Sequence, residues 1–272
     1  MLADFLYSHS TWMIGLLVIG LGTGISLLGL YVCHRFVDVN VRHKDTETVG
    51  LTYAIVAVVY AVLIALIVVD VFETFSKAEA IASTEANKLS NLMLDSSGLP
   101  PQMATEVRSD INKYIDLVVK SEWPTQRAGK LADSAFEPGW LLLAHMSSEL
   151  ALFEPATMGQ NTNKAEMLQA MNDLIKARRG RIIAAGEHLP AVIWKMLLLG
   201  GAVSVAYTYL FGARSFGIHM AITGLIAATI TLVFVLIITL DYPFRGAVSV
   251  TSEAFLDVQR TAFEVLAAVS PR

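Results

Sequence analysis

The chain has 272 residues, of which 54% are hydrophobic and only 16% are charged, and its formal net charge is −4. A soluble domain usually carries about 25% charged residues, so the deficit indicates a membrane protein. The mildly acidic balance argues against nucleic acid as a partner. A single cysteine, Cys33, leaves no internal disulfide to form.

Four apolar runs are long enough to cross a bilayer, which takes about 20 residues. The predicted spans are about 12–34, 50–70, 191–211 and 216–240. We expect the first run to stay as a span, because no basic segment precedes it and it is longer than the apolar part of a signal peptide. The chain is therefore predicted to be a multi-pass protein of the cell inner (plasma) membrane.

The spans divide the chain into four predicted parts. These are a transmembrane hairpin at 1–75, a helical soluble domain at 76–189, a second hairpin at 190–241 and an amphipathic helical tail at 242–272. Prolines punctuate the soluble domain, and no stretch alternates as a strand would. The predicted fold is all-α, with four transmembrane helices and a helical soluble domain inserted between the second and third.

Within that soluble domain, one segment is predicted to be a loop. The stretch "GQNTN" at 159–163 is rich in small polar residues, and we expect a basic helix only from residue 164.

The second span is predicted to run on into the soluble domain as one helix. The stretch "LIALIVVDVFETFSKAEAIASTEANKL" at 63–89 contains no proline or glycine, although charge begins at Asp70. We therefore expect a continuous helix over about 51–93. Apolar residues recur along it at spacings of three and four, as in an amphipathic helix: Phe75, Ala78, Ala82, Ala86, Leu89 and Met93. This face would pack against the other helices of the soluble domain or against the same helix of another subunit.

Basic residues in short loops predict the orientation. Arg35, Arg42 and Lys44 follow the first span and Arg214 follows the third, which places both short loops in the cytoplasm. The soluble domain and both termini would then be periplasmic. Basic residues just before the third span count against this orientation: Lys176, Arg178, Arg179 and Arg181.

No catalytic or cofactor motif is evident. The histidines are scattered and form no HxxxH or HExxH pattern, and there is no CxxC pair or glycine-rich phosphate loop. The sequence therefore predicts neither an enzyme nor a bound cofactor or metal.

Several short motifs resemble those of the bacterial bestrophin-like membrane proteins, a family defined as a domain of unknown function. They are Glu85 with Ala86, Tyr114, the "SEWP" that contains Glu122 and Trp123, Pro190 with Trp194, and the "LDYPFRG" that contains Pro243, Phe244 and Gly246. The last motif departs from the family at Tyr242, where a polar residue is common.

The resemblance implies a homo-oligomeric channel. Bestrophins are pentameric anion channels gated by calcium, with a pore lined by the second span and a helical domain in the cytosol. That cytosolic placement opposes the orientation predicted from charge. Calcium gating is not carried over, because no clustered acidic motif or EF-hand pattern is present.

The sequence is compatible with two functions. The first is an ion channel in which one face of the second span forms an apolar constriction, with Tyr53, Tyr60, Ile64 and Ile67 lining the pore. The second is a non-conducting scaffold or accessory subunit whose soluble helices bind another membrane protein. Alternatively, the face of the second span that carries Tyr53, Tyr60, Ile64 and Ile67 is part of the buried core and lines no pore.

Charges at the ends of the spans suggest a structural role. Asp70 ends the second span, Asp241 ends the fourth and Lys195 lies early in the third, so all three belong to one side of the membrane. Lys195 would either extend its ammonium to the interface or form an ion pair with Asp70 or Asp241.

Overall fold

The computed structural model describes residues 7, 11–39, 42, 46–130, 133–213 and 215–269, and every regular element among them is helical. The all-α prediction is confirmed. In chain order the helices are α1 (Thr11–Phe36), α2 (Thr46–Asp95), α3 (Pro101–Leu117), α4 (Trp123–Arg127), α5 (Asp133–Leu152), α6 (Met158–Ala184), α7 (Ala191–Tyr209), α8 (Phe216–Leu240) and α9 (Glu253–Val269).

Four of the described helices are long and apolar enough to cross a membrane, as predicted. The segments are Trp12–Phe36, Thr46–Gly98, Ala191–Tyr209 and Phe216–Leu240. Only 17–28% of each apolar window is buried inside the protomer. Apolar exposure of this extent is typical of helices that face lipid or other subunits.

Helix α2 is uninterrupted over 50 residues, a length of about 75 Å at 1.5 Å per residue. The predicted continuous helix is confirmed and extends beyond both expected ends. It ends in a 3-10 turn at Ser96–Gly98, and Pro101 then occupies the first turn of α3. Proline suits that position because the first helical N–H groups have no partner within the helix.

The chain forms two compact units. The membrane unit comprises 1–74, 188–241 and 246–248, and the helical unit comprises 75–187, 242–245 and 249–272. The predicted division into four parts stays a prediction. That the helical unit lies in water stays a prediction.

In the membrane unit, α1 packs against α8 and α7. The Tyr209 hydroxyl donates a 2.8 Å hydrogen bond to the Ser26 carbonyl, which joins α7 to α1. A second apolar core, centred on Leu197, Phe234 and Ile237, packs α7 against α8 and α2. Side-chain hydrogen bonds to backbone carbonyls thus add to close helix packing, as is usual among membrane helices.

In the helical unit, the apolar face of α2 that was predicted from the sequence forms part of the core. Ala78, Ala82, Ala86 and Leu89 are buried together with residues of α3, α5 and α6. Of the two roles open for this face, the structure therefore supports packing within the unit. The small alanine side chains allow the neighbouring helices to approach α2 closely.

Helix α9 completes that core. Phe255 of α9 contacts the Trp123 ring at 5.5 Å between centroids, and the Trp123 indole N–H donates to the Val250 carbonyl at 3.2 Å. The C-terminal helix begins at Glu253, later than the predicted tail at 242, because residues 242–252 form turns around Pro243 and Gly246.

Candidate functional site: a buried ionic cluster and the second membrane helix

Five polar side chains form an ionic cluster in the middle of the helical unit. Glu85 comes from α2, Tyr114 from α3, Glu122 from the turn that follows α3, and Arg178 and Arg181 from α6. All five are completely buried. Their shared property is that each charge is compensated by at least one charge of the opposite sign.

Arg181 bridges the two carboxylates. Its Nε donates to Glu85 Oε2 at 2.7 Å, and its Nη2 donates to Glu85 Oε1 at 3.1 Å and to Glu122 Oε2 at 2.8 Å. A planar guanidinium presents its N–H groups in a fixed fork, which suits this geometry and which a lysine could not reproduce. Arg181 therefore links α6 to α2 and to the turn after α3.

Arg178 forms a second fork on Glu122. Its Nη2 donates to Glu122 Oε1 at 2.7 Å and its Nη1 to Glu122 Oε2 at 3.0 Å. Nη1 also donates to the Tyr114 hydroxyl at 3.1 Å, and that hydroxyl in turn donates to Glu85 Oε1 at 2.6 Å. Glu122 thus accepts three hydrogen bonds and Glu85 also accepts three.

Aromatic rings surround the two guanidinium groups. Arg178 lies 4.9 Å from the centroid of the Trp140 ring, and Arg181 lies 5.3 Å from that of Trp123. Rings at these distances attract a cation through their negative faces. The rings therefore add to the stabilisation that the carboxylates give the two cations.

The electrostatic environment fixes the protonation states of the cluster. Burial raises the pKa of the Tyr114 hydroxyl well above its ordinary value, and the Glu85 carboxylate raises it further. Burial alone would lower the pKa of the Arg181 guanidinium, but the carboxylates of Glu85 and Glu122 outweigh it and raise that pKa. Tyr114 therefore stays a neutral donor and Arg181 stays a cation.

Local sequence features position the cluster. The segment Val118–Glu122 is a π-helical turn, in which one extra residue shifts the side chains that follow. Gly139 on α5 lies directly against the Arg178 guanidinium, where a Cβ atom would overlap it. The missing side chain at 139 therefore leaves room for Arg178.

The cluster is suited to joining helices rather than to chemistry. Its carboxylate oxygens already accept hydrogen bonds from cluster members, and its side chains have no exposed surface. Among the described residues, no group of three or more His, Cys, Asp or Glu side chains is arranged to hold a metal ion.

The predicted pore face of α2 turns toward the protomer's own helices. Tyr60 is 9% exposed, its hydroxyl donates to the Leu197 carbonyl at 2.7 Å, and its ring lies against Gly200. Tyr53 contacts the rings of Tyr207 and Phe211, and Ile64 and Ile67 pack against the apolar core of the unit.

The opposite face of α2 is an exposed apolar stripe. Its residues recur at spacings of three and four, and each is more than half exposed: Leu51, Ile55, Val58, Val62, Leu66 and Val69. At 100° per residue these positions centre about 180° from Tyr60. We call this set the outer stripe.

A family model described as the Bestrophin-like domain matches residues 20–255. The chain belongs to the Bestrophin-like family. Similar solved structures include a bacterial bestrophin homolog from Klebsiella pneumoniae carrying a mutation, with 13% identity, a TM-score of 0.66, and coverage of 91% of this chain and 98% of that one. They also include a mutated membrane protein with 12% identity, a TM-score of 0.65 and coverage of 90% and 97%. At these identities the similarity shows the fold alone. No curated protein matches the chain.

The cluster unites three of the Bestrophin-like motif residues named from the sequence, namely Glu85, Tyr114 and Glu122. The sequence alone marks their partners, Arg178 and Arg181, only as basic residues near the third span. Their spacing of three places them on one face of α6, between buried apolar residues such as Leu174 and Ala184. Two arginines on an otherwise apolar helix face were the sequence feature that could have identified these two residues as buried partners of the acidic residues.

The remaining motif residues shape the turn after α8. Phe244 is fully buried against the Trp123 ring, with centroids 5.4 Å apart, and the Pro243 carbonyl accepts a 2.8 Å hydrogen bond from Val250 N–H. Gly246 has a φ of 86°, a conformation that side chains rarely adopt. These residues are structural in the Bestrophin-like chain.

The predicted rim ion pair is wrong for the described residues, because Asp241 has other partners. Its carboxylate accepts the Leu189 N–H at 2.6 Å and the Trp194 indole N–H at 3.2 Å. Among the described residues, no ion pair joins Lys195 to Asp241 or Asp70. Asp241 thus closes the turn that precedes α7, and Asp70 is exposed.

Two of the basic residues used to predict the orientation, Lys44 and Arg214, lie outside the described residues. Arg42 is described and is buried. It donates to the Tyr209 carbonyl at 2.9 Å and lies 3.1 Å from His34 Nδ1. It therefore holds the end of α7 in addition to any part it has in orientation.

Proposed function

We propose that this Bestrophin-like protein is a homo-oligomeric ion channel of the cell inner membrane, and that anions are the conducted ions. The outer stripe of α2 carries the proposal. It is a continuous apolar face on a membrane helix, it bears no charge, and no helix of its own protomer covers it. The family resemblance adds that bestrophins are anion channels lined by the second span.

The proposal assigns the pore to the outer stripe instead of to the Tyr60 face. A pore-lining side chain has to reach the space between subunits, and the hydroxyl of Tyr60 is held inside the protomer by Leu197. Val62 and Leu66 point the other way and are free of such contacts on their exposed sides. A ring of these residues from several subunits would form an apolar constriction, which gates by dewetting.

The ionic cluster supports this function as an anchor. Glu85 belongs to the same uninterrupted helix as the outer stripe. Its three hydrogen bonds fix the rotation of α2 in the helical unit, so that the helix cannot turn freely about its axis. Fixed rotation is what keeps one face of a pore helix directed at the conduction path.

Reconstitution tests the proposal. The purified protein in phospholipid vesicles should release trapped chloride, and Val62→Ser should speed the release because a hydroxyl eases wetting of the constriction. Val56→Ser, on the partly buried face of α2, is the matched control and should leave the rate unchanged. A folded oligomer that releases no chloride in any form would favour the non-conducting scaffold.

The orientation is a separate proposal. We propose that the helical unit and both termini are periplasmic, on the evidence of Arg35 and Arg42 after the first span. A cysteine introduced for Asn161, in a chain that carries Cys33→Ser, should react in intact cells with a thiol reagent that cannot cross the membrane. A cysteine in place of Glu47, at the start of α2, should not react. The reverse pattern would establish the cytosolic placement that the family resemblance implies.

A further inference from the structure

The outer stripe of α2 ends at a group of charged side chains. The apolar run of the helix stops at Asp70, and Glu73 and Lys77 follow at intervals of three and four residues. All three side chains are exposed on the protomer. We call these three residues the collar, and it contains two acidic side chains and one basic side chain.

The collar lies on the side of α2 that carries the outer stripe. At 3.6 residues per turn, Glu73 falls about 20° from the line along the helix that passes through Val62. Lys77 falls about 60° from that line and Asp70 about 80°. Val71 lies about 180° from the same line, and it is only 3% exposed because it packs in the core of the membrane unit. Glu73 is therefore the charged residue of the collar that lies nearest to the line of the stripe.

The collar has an excess of negative charge. Lys77 follows Glu73 by four residues, a spacing at which opposite charges on a helix offset each other. Asp70 then leaves one negative charge in excess on each chain. In a ring of subunits that face the conduction path with the outer stripe, this excess is repeated in every subunit. Rings of Asp and Glu favour cations in a pore, whereas rings of Lys and Arg favour anions.

The basic residue early in α7 does not offset the collar within the protomer. Lys195 is exposed, but α7 packs against the opposite face of α2, which carries Ile67 and Val71. An α-helix is about 10–12 Å wide with its side chains, so α2 itself separates Lys195 from the outer stripe. Exposed charges more than about 8 Å apart are largely screened at physiological ionic strength.

We propose that the collar draws cations into the conduction path and that Glu73 sets the preference between cations and anions. The inference rests on the pore proposed above and extends the conducted ions from anions to cations. The Glu73 carboxylates of all subunits would act together at one level of the path, where a permeating ion loses part of its water. Asp70 and Lys77 have a smaller influence because they lie further from the line of the outer stripe.

Reversal potentials test the proposal with the full-length protein. The oligomer is reconstituted into planar bilayers with unequal sodium chloride concentrations on the two sides, and the wild type should pass sodium at least as readily as chloride. A single charge about 8 Å from an ion in water changes the local concentration of that ion roughly twofold. The effect has opposite signs for the two ions, so Glu73→Gln should lower the ratio of sodium to chloride permeability at least about fourfold.

Matched variants separate Glu73 from surface charge in general. Glu79 is also an exposed glutamate of α2, but it lies about 100° from the line of the outer stripe, so Glu79→Gln should leave the reversal potential unchanged. Lys77→Gln should raise the ratio of sodium to chloride permeability. In a Cys33→Ser background, a positively charged methanethiosulfonate reagent on Glu73→Cys should favour chloride and a negatively charged one should favour sodium, which compares both charges in one folded protein.

Three outcomes would overturn the inference about the collar and leave the proposed pore intact. They are a wild-type current that chloride alone carries, a reversal potential that neither Glu73→Gln nor the charged reagents move, and equal shifts in Glu73→Gln and Glu79→Gln. A folded oligomer that carries no current in any form would instead overturn the proposed function, and the inference with it.

Discussion

Replacing Glu122 by glutamine should strongly destabilise the helical unit. The Glu122 carboxylate accepts hydrogen bonds from Arg178 Nη1 and Nη2 and from Arg181 Nη2, at 3.0, 2.7 and 2.8 Å. A glutamine keeps the shape but accepts at one atom only, and its NH₂ group would face guanidinium donors. The variant also leaves one positive charge without compensation in a fully buried site.

The expected magnitude follows from burial. Removing one partner of a buried ion pair costs about 3–5 kcal/mol. For a chain of this size, each kcal/mol lowers the melting temperature by about 2–4 °C, so we expect a fall of about 6–20 °C. Thermal unfolding of the detergent-solubilised protein, followed by tryptophan fluorescence, measures this directly because Trp123 and Trp140 lie beside the cluster.

The matched control is Asp173→Asn. Asp173 also pairs with two cations, Lys88 at 3.1 Å and Lys176 at 3.3 Å, but on the surface of the unit. Solvent screens such pairs, so this variant should melt close to the wild type. If Glu122→Gln falls no further than Asp173→Asn, the argument that burial gives the cluster its importance is refuted.

Three further predictions concern individual positions. The folded protein keeps the Tyr114 proton, whereas the unfolded chain releases it near pH 10, so the free energy of unfolding should fall as the pH rises above about 10. Tyr114→Phe should make this fall less steep in melting curves recorded at several pH values. The same variant should cost about 1–2 kcal/mol near neutral pH because a buried hydrogen bond is lost. Gly139→Ala should destabilise by about 1–3 kcal/mol in denaturant titrations because its Cβ overlaps Arg178, whereas Gly159→Ala, which meets only a distant hydroxyl, should not. Asp241→Ala should destabilise the protein by about 1–3 kcal/mol because the Leu189 N–H and the Trp194 indole N–H lose their acceptor. Lys195→Met should leave the melting temperature unchanged. Equal destabilisation by the two variants would instead be evidence for an ion pair between Lys195 and Asp241.

Patterns of charge and apolar residues predicted the helices well. The four membrane helices and the uninterrupted α2 follow from apolar runs and from the absence of helix breakers. The predicted loop at 159–163 is wrong, because Thr157 caps the helix by accepting the Gln160 N–H and α6 then begins at Met158. Asparagine and glycine in the first turns of a helix resemble a loop in composition, and the cap earlier in the chain outweighs them.

The sequence could not show which face of α2 is buried. A membrane helix is apolar all round, so periodicity does not separate its protein-facing side from its exposed side. From the sequence alone, either Tyr60 or Val62 could lie on the exposed face of α2. Only the contacts of Tyr60 with Leu197 and Gly200 show that Tyr60 lies on the buried face. The ionic cluster was likewise hidden, because Glu85 and Arg181 are 96 positions apart and only the folded unit brings them together.

The assignment of the pore to the outer stripe is tested most directly by blocking single-site cysteine variants. In a Cys33→Ser background, Val62→Cys and Tyr60→Cys are reconstituted into planar bilayers, and a water-soluble methanethiosulfonate reagent is added during current recording. The account predicts that the current through Val62→Cys is blocked and that the current through Tyr60→Cys is not. Block of Tyr60→Cys alone, or a folded oligomer that carries no current in either form, would contradict it.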